Sequence, residues 1–146
     1  MVVCVGNICR SPMAEYIVKK IVEEKGLNYR VSSAGFIETG RTISENSYIV
    51  LAENGYDAKM HLSTLISNKL LADSFLIITM TKQHKKVLQK IDSDIGDKLF
   101  TLSEFIGSDD DISDPYGLDI SFYRKTFTII RKKVELMMSR LGNDFL

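Results

Sequence analysis

The sequence predicts an α/β domain: a three-layer sandwich in which a four-stranded parallel sheet lies between helices. Short apolar segments rich in β-branched residues alternate with amphipathic segments, and parallel strands are most simply joined by helices. Residues 75–80 are almost entirely apolar, which is typical of a strand covered on both faces. The 146 residues contain no internal repeat and no linker, so 1–146 is predicted to be a single domain.

The first half of the chain has a β-α-β-α pattern. Its predicted elements are a strand over 1–5, a helix from Pro12 to Gly26 capped by Ser11, a strand over 29–34, and a helix capped by Ser44 that ends at Gly55. Apolar residues form a stripe along the first helix, and its opposite, polar face includes Glu15. The first strand therefore leads directly into a loop and then into a helix.

The second half continues the alternation and ends in the most regular helix. Its predicted elements are a helical segment ending near 73, a strand over 75–80, a helix capped by Thr81 that runs to Ile91, a strand over 98–102, an acidic loop over 108–114, and a long terminal helix. Within the lysine-rich 82–86 segment, His84 is predicted to be exposed to solvent. Apolar residues recur in the terminal helix at three- and four-residue steps, which predicts a buried face. They are Ile120, Tyr123, Phe127, Ile130, Val134, Met137 and Leu141.

Composition argues against several functions. Lys plus Arg and Asp plus Glu both total 19, so no net positive charge is available to hold a nucleic acid. No apolar segment is long enough to span a membrane, and no export signal is visible. Two cysteines cannot form a disulfide framework, and they lack the neighbours of a structural zinc site. We expect a cytoplasmic protein, monomeric at this size, whose cysteines are available for chemistry.

The most informative segment is the loop from Cys4 to Ser11. A loop that enters a helix N-terminus directs several backbone N–H groups at one point, and the helix dipole adds positive charge there. Such a point binds a tetrahedral oxyanion, and the planar guanidinium of Arg10 can hold two of its oxygens. In the same field Cys4 is expected to be partly a thiolate and therefore nucleophilic, and Ser11 can hydrogen-bond it. We thus predict a phosphate-binding loop after the first strand.

These residues closely resemble the low-molecular-weight protein tyrosine phosphatases. The family's C-x5-R-S loop is matched by Cys4 to Ser11 and is followed by Pro-Met-Ala-Glu over 12–15. Its Ser-Ala-Gly motif is matched over 33–35, and its Asp-Pro-aromatic motif over 114–116. The resemblance covers essentially the whole chain. It implies an enzyme that removes phosphate from phosphorylated proteins without a metal or an organic cofactor.

The resemblance also implies a role for each residue that matches a motif. Cys4 would be the nucleophile that forms a phosphocysteine, Arg10 the phosphate clamp, and Asp114 the general acid and then base. Side chains expected to support the loop are Ser33 and His61, together with Asn7 and Ser11. Substrate contacts are expected from Val5, Gly6, Asn7, Ile8, Cys9, Ser11 and Tyr116. Tyr116 would face a variable loop over 36–41, and Cys9 could shield Cys4 from over-oxidation through a reversible disulfide.

Four functions can be compared for this sequence. The first is hydrolysis of phosphotyrosine in proteins, favoured by Ile8, because tyrosine phosphatases share this apolar residue. The second is hydrolysis of phosphoarginine, since 80–86, 99–105 and 114–117 resemble the arginine phosphatases, although those enzymes carry threonine where Ile8 stands. Arsenate reduction would require further cysteines, and none follows Cys9. A module that only captures phosphoproteins would not need the nucleophile, clamp and acid together.

Overall fold

We describe residues 1–144 of a computed structural model, and the side chains of residues 1–142. The strands are β1 (Val2–Val3), β2 (Ser33–Ala34), β3 (Ile77–Thr79) and β4 (Leu99–Thr101). The helices are α1 (Arg10–Glu24), α2 (Glu45–Glu53), α3 (Asn68–Asp73), α4 (Lys82–Ile91), α5 (Leu102–Phe105) and α6 (Ile120–Asp144). A short 3-10 helix, Ser93–Lys98, precedes β4.

The strands form one parallel sheet in the order β2-β1-β3-β4. Alternate residues enter two separate cores: Val2 and Ile78 lie in the core shared with α1, α2 and α6, whereas Val3 and Ile77 lie in the core formed with α3 and α4. The predicted three-layer α/β fold and its four-stranded parallel sheet are therefore confirmed. Because all strands are parallel, their carboxyl ends meet at one edge, where ligands bind in such sheets.

Several predicted boundaries were wrong. Helix α1 begins at Arg10 rather than Pro12, and its N-cap is Cys9, which makes no side-chain capping bond. Ser11 therefore lies inside the first turn, where its hydroxyl is engaged with the loop instead of a helix amide. The second strand pairs only through Ser33 and Ala34, because β1 pairs in the register Val2 to Ser33 and Val3 to Ala34. The short helix α5, whose N-terminus has a capping box, and the 3-10 helix were not predicted.

Other helix predictions were confirmed. Ser44 and Thr81 cap α2 and α4, each accepting a hydrogen bond from an amide of the first turn. The predicted apolar face of α6 packs against α1 and α2, with six of its seven residues buried and Ile120 partly buried. Within residues 1–144, no helix is both long and apolar enough to cross a membrane.

Two polar residues predicted to face solvent are instead buried. His84 is 5% exposed, because its turn of α4 lies against the sheet and its ring lies 6.1 Å from that of Phe36. Burial is the main reason why the pKa of His84 falls to about 4. Glu15 is 6% exposed, because its carboxylate lies against Ser33 and His61.

Candidate active site

The predicted reactive residues surround one cavity at the carboxyl edge of the sheet. Its volume is about 170 Å³. The lining residues are Cys4, Val5, Gly6, Ile8, Cys9, Arg10, Ile37, Arg41, Asp114 and Tyr116. Asn7 and Ser11 are fully buried and are not among the residues that line it, so their contact with substrate stays a prediction. A larger groove of about 690 Å³ is lined instead by residues such as Tyr29, Leu76 and Met138, and it contains none of the predicted site residues.

Asn7 holds the loop between β1 and α1 in shape. Its backbone has φ of +54°, a left-handed conformation that asparagine tolerates better than most residues. The side-chain amide donates to Ser11 Oγ and to Ser33 Oγ, each at 2.8 Å, and its oxygen accepts from the amide of Thr64 at 2.9 Å. His61 Nε2 lies 2.7 Å from the Asn7 carbonyl oxygen and donates to it. The side-chain amide and the backbone carbonyl oxygen of Asn7 are thus all used inside the protein.

The close approach of β2 to this loop requires Gly35. A Cβ added at Gly35 would lie 2.7 Å from the carbonyl oxygen of Val5 and 2.9 Å from the amide nitrogen of Asn7. These distances are too short for any side chain, so only glycine permits the loop to rest against this segment. The glycine of the Ser-Ala-Gly motif therefore has a steric role.

Cys4 is connected to this network through Ser11. Cys4 Sγ and Ser11 Oγ lie 3.0 Å apart, and both residues are buried. Because Ser11 Oγ already accepts from Asn7, its own hydrogen is free to be donated to sulfur. A hydroxyl that donates to a sulfur stabilises the thiolate more than the thiol. The arrangement therefore suits Cys4 for nucleophilic attack.

Glu15 completes the network, although its position on the polar face of α1 predicts exposure to solvent. The Ser33 hydroxyl donates to Glu15 Oε2, and His61 Nδ1 lies 3.7 Å from the same oxygen. Lys19, one turn further along α1, pairs with the other carboxylate oxygen at 2.6 Å. The signal that could have revealed Glu15 was its place directly after the reactive loop, in the Pro-Met-Ala-Glu continuation. A buried carboxylate thus contacts Ser33 and His61, two residues that hold Asn7.

Arg10 connects the two halves of the site. It is 4% exposed; Nη1 donates to the Ile112 carbonyl oxygen at 2.8 Å, and Nη2 lies 3.3 Å from Asp114 Oδ2. Its Nε–H has no partner among the described residues, although the atom is buried. A buried N–H beside a cavity is a suitable donor to an anion bound there. The guanidinium is therefore oriented before any substrate binds.

Asp114 is the exposed member of the site. Its side chain is 48% exposed, and Oδ1 accepts from the backbone amide of Tyr116 at 3.1 Å. Tyr116 is 62% exposed and stands on the same side of the cavity, while Ile37 and Arg41 of the 36–41 loop also line the cavity. The cavity is thus lined by charged side chains, those of Arg10, Arg41 and Asp114, and by apolar ones.

Cys9 is held beneath the cavity by hydroxyl groups. Its sulfur lies 3.3 Å from Ser44 Oγ and 3.7 Å from the Tyr123 hydroxyl, and burial raises the pKa of its thiol. Burial, reinforced by Cys9, also raises the pKa of Tyr123 to about 12. Both Cys4 and Cys9 are free thiols, so a Cys4 to Cys9 disulfide stays a prediction. Among the described residues, no three His, Cys, Asp or Glu side chains are grouped to hold a metal ion.

The fold and this site define a protein phosphatase, which is a hydrolase. The family model for low molecular weight phosphotyrosine protein phosphatases matches residues 1–145, and the chain belongs to that family. The resemblance seen in the sequence is therefore confirmed.

Relatives with two different names are similar to the chain. A protein-arginine-phosphatase of Bacillus subtilis is 35% identical over 144 residues, covering 97% of this chain and 95% of the relative. The low molecular weight protein-tyrosine-phosphatase PtpB of Staphylococcus haemolyticus is 38% identical over 125 residues, 86% of each chain. A solved mutant of the YwlE arginine phosphatase with a phosphorylated active-site serine superimposes with a TM-score of 0.94 at 33% identity, covering 99% of this chain and 95% of that one.

Proposed function

We propose that this protein hydrolyses phosphotyrosine in proteins through a phosphocysteine intermediate. One observation carries the choice of substrate: the cavity above Cys4 and Arg10 is walled by Val5, Ile8 and Ile37. Apolar walls suit the aromatic ring of phosphotyrosine, which is buried favourably against such side chains.

In the first step the Cys4 thiolate attacks the phosphorus atom. The sulfur–phosphorus bond forms while the bond from phosphorus to the phenolic oxygen breaks, and the carboxylic acid of Asp114 gives its proton to that oxygen. Arg10 and the loop amides stabilise the charge on the phosphoryl oxygens. The 3.3 Å contact between Arg10 and Asp114 supports the joint action of the proposed clamp and acid on one phosphate group. A neutral phenol then leaves.

In the second step water replaces the sulfur. The Asp114 carboxylate takes a proton from water, the water oxygen bonds to phosphorus, and the sulfur–phosphorus bond breaks. Ser11 again stabilises the sulfur as a thiolate, and inorganic phosphate is released. The phosphorylated active-site serine in the related YwlE mutant supports a covalent intermediate of this kind. Neither step consumes a cofactor.

A phosphoarginine substrate is the second candidate. It is favoured by the similarity to the B. subtilis protein-arginine-phosphatase, which extends over 97% of the chain. Cys4, Arg10 and Asp114 would act in the same way on a P–N bond. Ile8 argues against this candidate, because the arginine phosphatases that parts of the sequence resemble carry threonine at this position.

The proposal further includes action as a cytoplasmic monomer. Cys4 must be reduced to react, which suits a reducing compartment, and both thiols are free. One chain supplies the proposed nucleophile, clamp and acid, so no second subunit is needed to complete the site.

The test is phosphate release from phosphotyrosine and phosphoarginine peptides of matched sequence, with chelator and reductant present. We expect the tyrosine peptide to have the higher kcat/KM, and Cys4→Ser to release no phosphate from either. A higher kcat/KM for the arginine peptide would replace the first candidate by the second. Undiminished release by Cys4→Ser would contradict the covalent mechanism.

A further inference from the structure

Three consecutive aspartates attach the loop before Asp114 to two helices. Asp109 Oδ1 lies 2.8 Å from Lys82 Nζ, and Asp111 Oδ1 accepts from the Lys82 backbone amide at 2.9 Å. Asp110 Oδ1 accepts from Lys133 Nζ on α6 at 2.9 Å. The acidic run is therefore an ordered set of contacts and not a freely solvated loop.

The contact to Lys133 differs from the others because its lysine is largely buried, although Asp110 is 56% exposed. Lys133 is 12% exposed, and its ammonium group also donates to the hydroxyl of Ser103, a buried residue, at 3.0 Å. In contrast, Asp109 and Lys82 are 92% and 46% exposed, so water and salt screen their attraction. The Ser108 hydroxyl and Lys133 together lower the pKa of Asp110 to about 2, so Asp110 is fully ionised at neutral pH.

The attachment continues to within two residues of Asp114. Ile112 is 2% exposed, its amide donates to the Met80 carbonyl oxygen at 3.1 Å, and its own carbonyl oxygen accepts from Arg10. Asp114 itself is half exposed and has one side-chain contact to Arg10 and one to the Tyr116 amide. Its position therefore depends on the backbone that precedes it.

We propose that Lys133 is a positioning residue for the reaction: by holding Asp110, it places the Asp114 carboxyl against the leaving oxygen. The inference rests on the proposed function, since it requires Asp114 to be the general acid. A proton donor must lie within hydrogen-bond reach of the oxygen that it protonates, and a displacement of about 1 Å can cost up to about 100-fold in rate.

The test compares two aryl phosphates with different leaving groups. Phenyl phosphate has a poor leaving group and depends on the general acid, whereas 2,4-dinitrophenyl phosphate leaves without protonation. We expect Lys133→Met to lower kcat/KM for phenyl phosphate by about tenfold and to change kcat/KM for the dinitrophenyl ester less than about twofold. Lys133→Arg should restore most of the loss, because it retains the charge.

Two further variants provide controls. Lys132→Met removes the same charge from the neighbouring, exposed position of α6 and should leave both rates unchanged. Asp110→Asn removes the partner on the loop and should reproduce the selective loss, and the double variant should add little to either single change. Asp110→Asn also keeps the test valid if Lys133→Met folds poorly.

The outcomes separate the two ideas. The positioning role would be overturned if Lys133→Met and Asp110→Asn lowered kcat/KM equally for both esters, or lowered it for neither. Asp114→Asn should still lower kcat/KM selectively for phenyl phosphate in that case. If Asp114→Asn itself lowered kcat/KM equally for both esters, Asp114 would not be the general acid, and the positioning role of Lys133 would be contradicted as well.

Discussion

The phosphate loop, residues 4–11, and the acid loop, residues 108–116, face the same cavity but are built differently. In the phosphate loop Cys4, Asn7, Arg10 and Ser11 are at most 4% exposed, and hydrogen bonds between buried groups hold them. In the acid loop the catalytic candidate Asp114 is 48% exposed, and ion pairs to neighbouring helices do much of the anchoring. The phosphate loop is thus largely buried, whereas the acid loop is attached to the protein through ion pairs and the buried side chain of Ile112.

This difference predicts two kinds of variant. Removing one partner of a buried hydrogen bond leaves the other unsatisfied and costs about 1–3 kcal/mol, whereas an exposed ion pair contributes less than about 1 kcal/mol. Changes in the phosphate loop should therefore reduce stability and activity together. Changes to the exposed carboxylates of the acid loop should reduce activity alone.

Asp114→Asn should have the largest effect on rate and almost none on stability. The amide cannot donate a carboxylic proton or accept one from water, so kcat/KM for an aryl phosphate with a poor leaving group should fall by about 100- to 10,000-fold. The free energy of unfolding should change by less than about 1 kcal/mol, because the residue is half exposed. Urea unfolding and initial rates measure the two effects. A large loss of stability would erase the distinction between the loops.

Asn7→Ala should lower both quantities. It deletes two buried hydrogen bonds, to Ser11 and Ser33, and a partly buried one from the Thr64 amide. We expect a loss of about 2–4 kcal/mol in the free energy of unfolding and a fall in kcat/KM of roughly 100-fold, because the Ser11 hydroxyl loses its orientation.

Asn7→Gly separates the two causes of that loss. Glycine accepts the positive φ of this residue without strain, while alanine does not. Glycine should therefore recover about 1 kcal/mol of stability but none of the activity. Recovery of activity in the glycine variant would show that backbone strain, not the hydrogen bonds, limits the alanine enzyme.

The titration of His84 tests whether the region between the two loops is shielded from water. Its pKa of about 4 lies below the ordinary value of 6.5, mainly because of burial, with Arg10 lowering it further and Asp111 and Asp114 raising it. Protonation therefore favours the unfolded chain, so this group's contribution to stability is complete above pH 6.5 and is lost as the pH falls towards 4. We expect a loss of up to about 3 kcal/mol from this group over that interval.

The measurement is urea unfolding of wild type and His84→Leu between pH 7 and pH 4. Carboxylates destabilise both proteins in acid, so the difference between their slopes isolates the histidine. Parallel curves would mean that His84 titrates near its ordinary pKa and is not shielded from water.

The sequence predicted the parts of the molecule that are local in the chain. The alternation of elements, the caps Ser44 and Thr81, and the loop with its cysteine and arginine all follow from neighbouring residues. Strand lengths were overestimated because the extent of a ladder depends on the register with another strand, which a single segment does not specify.

The missed burial of Glu15 and His84 has a related cause. Each has a polar side chain in a helix that displays other charged residues, so helical periodicity assigns it to solvent. Only the tertiary contacts reverse this: Ser33 and His61 surround Glu15, and Phe36 covers His84. The pairing of Lys133 with Asp110 joins residues 23 positions apart and was equally inaccessible to pattern analysis.

Ile8→Thr should have the smallest effect and the most specific one. Ile8 is 7% exposed and lines the cavity, and threonine has a hydroxyl in place of the ethyl branch of isoleucine. We expect the ratio of kcat/KM for phosphoarginine to that for phosphotyrosine to rise by roughly tenfold, because the tyrosine ring loses apolar contact and the P–N substrate gains a hydrogen-bonding group. Ile8→Val is the matched control, since valine has the shape of threonine without its hydroxyl. If valine shifted the ratio as much as threonine, cavity size alone would set the preference. If threonine left the ratio unchanged, the apolar walls formed by Val5 and Ile37 would determine the substrate without a contribution from position 8.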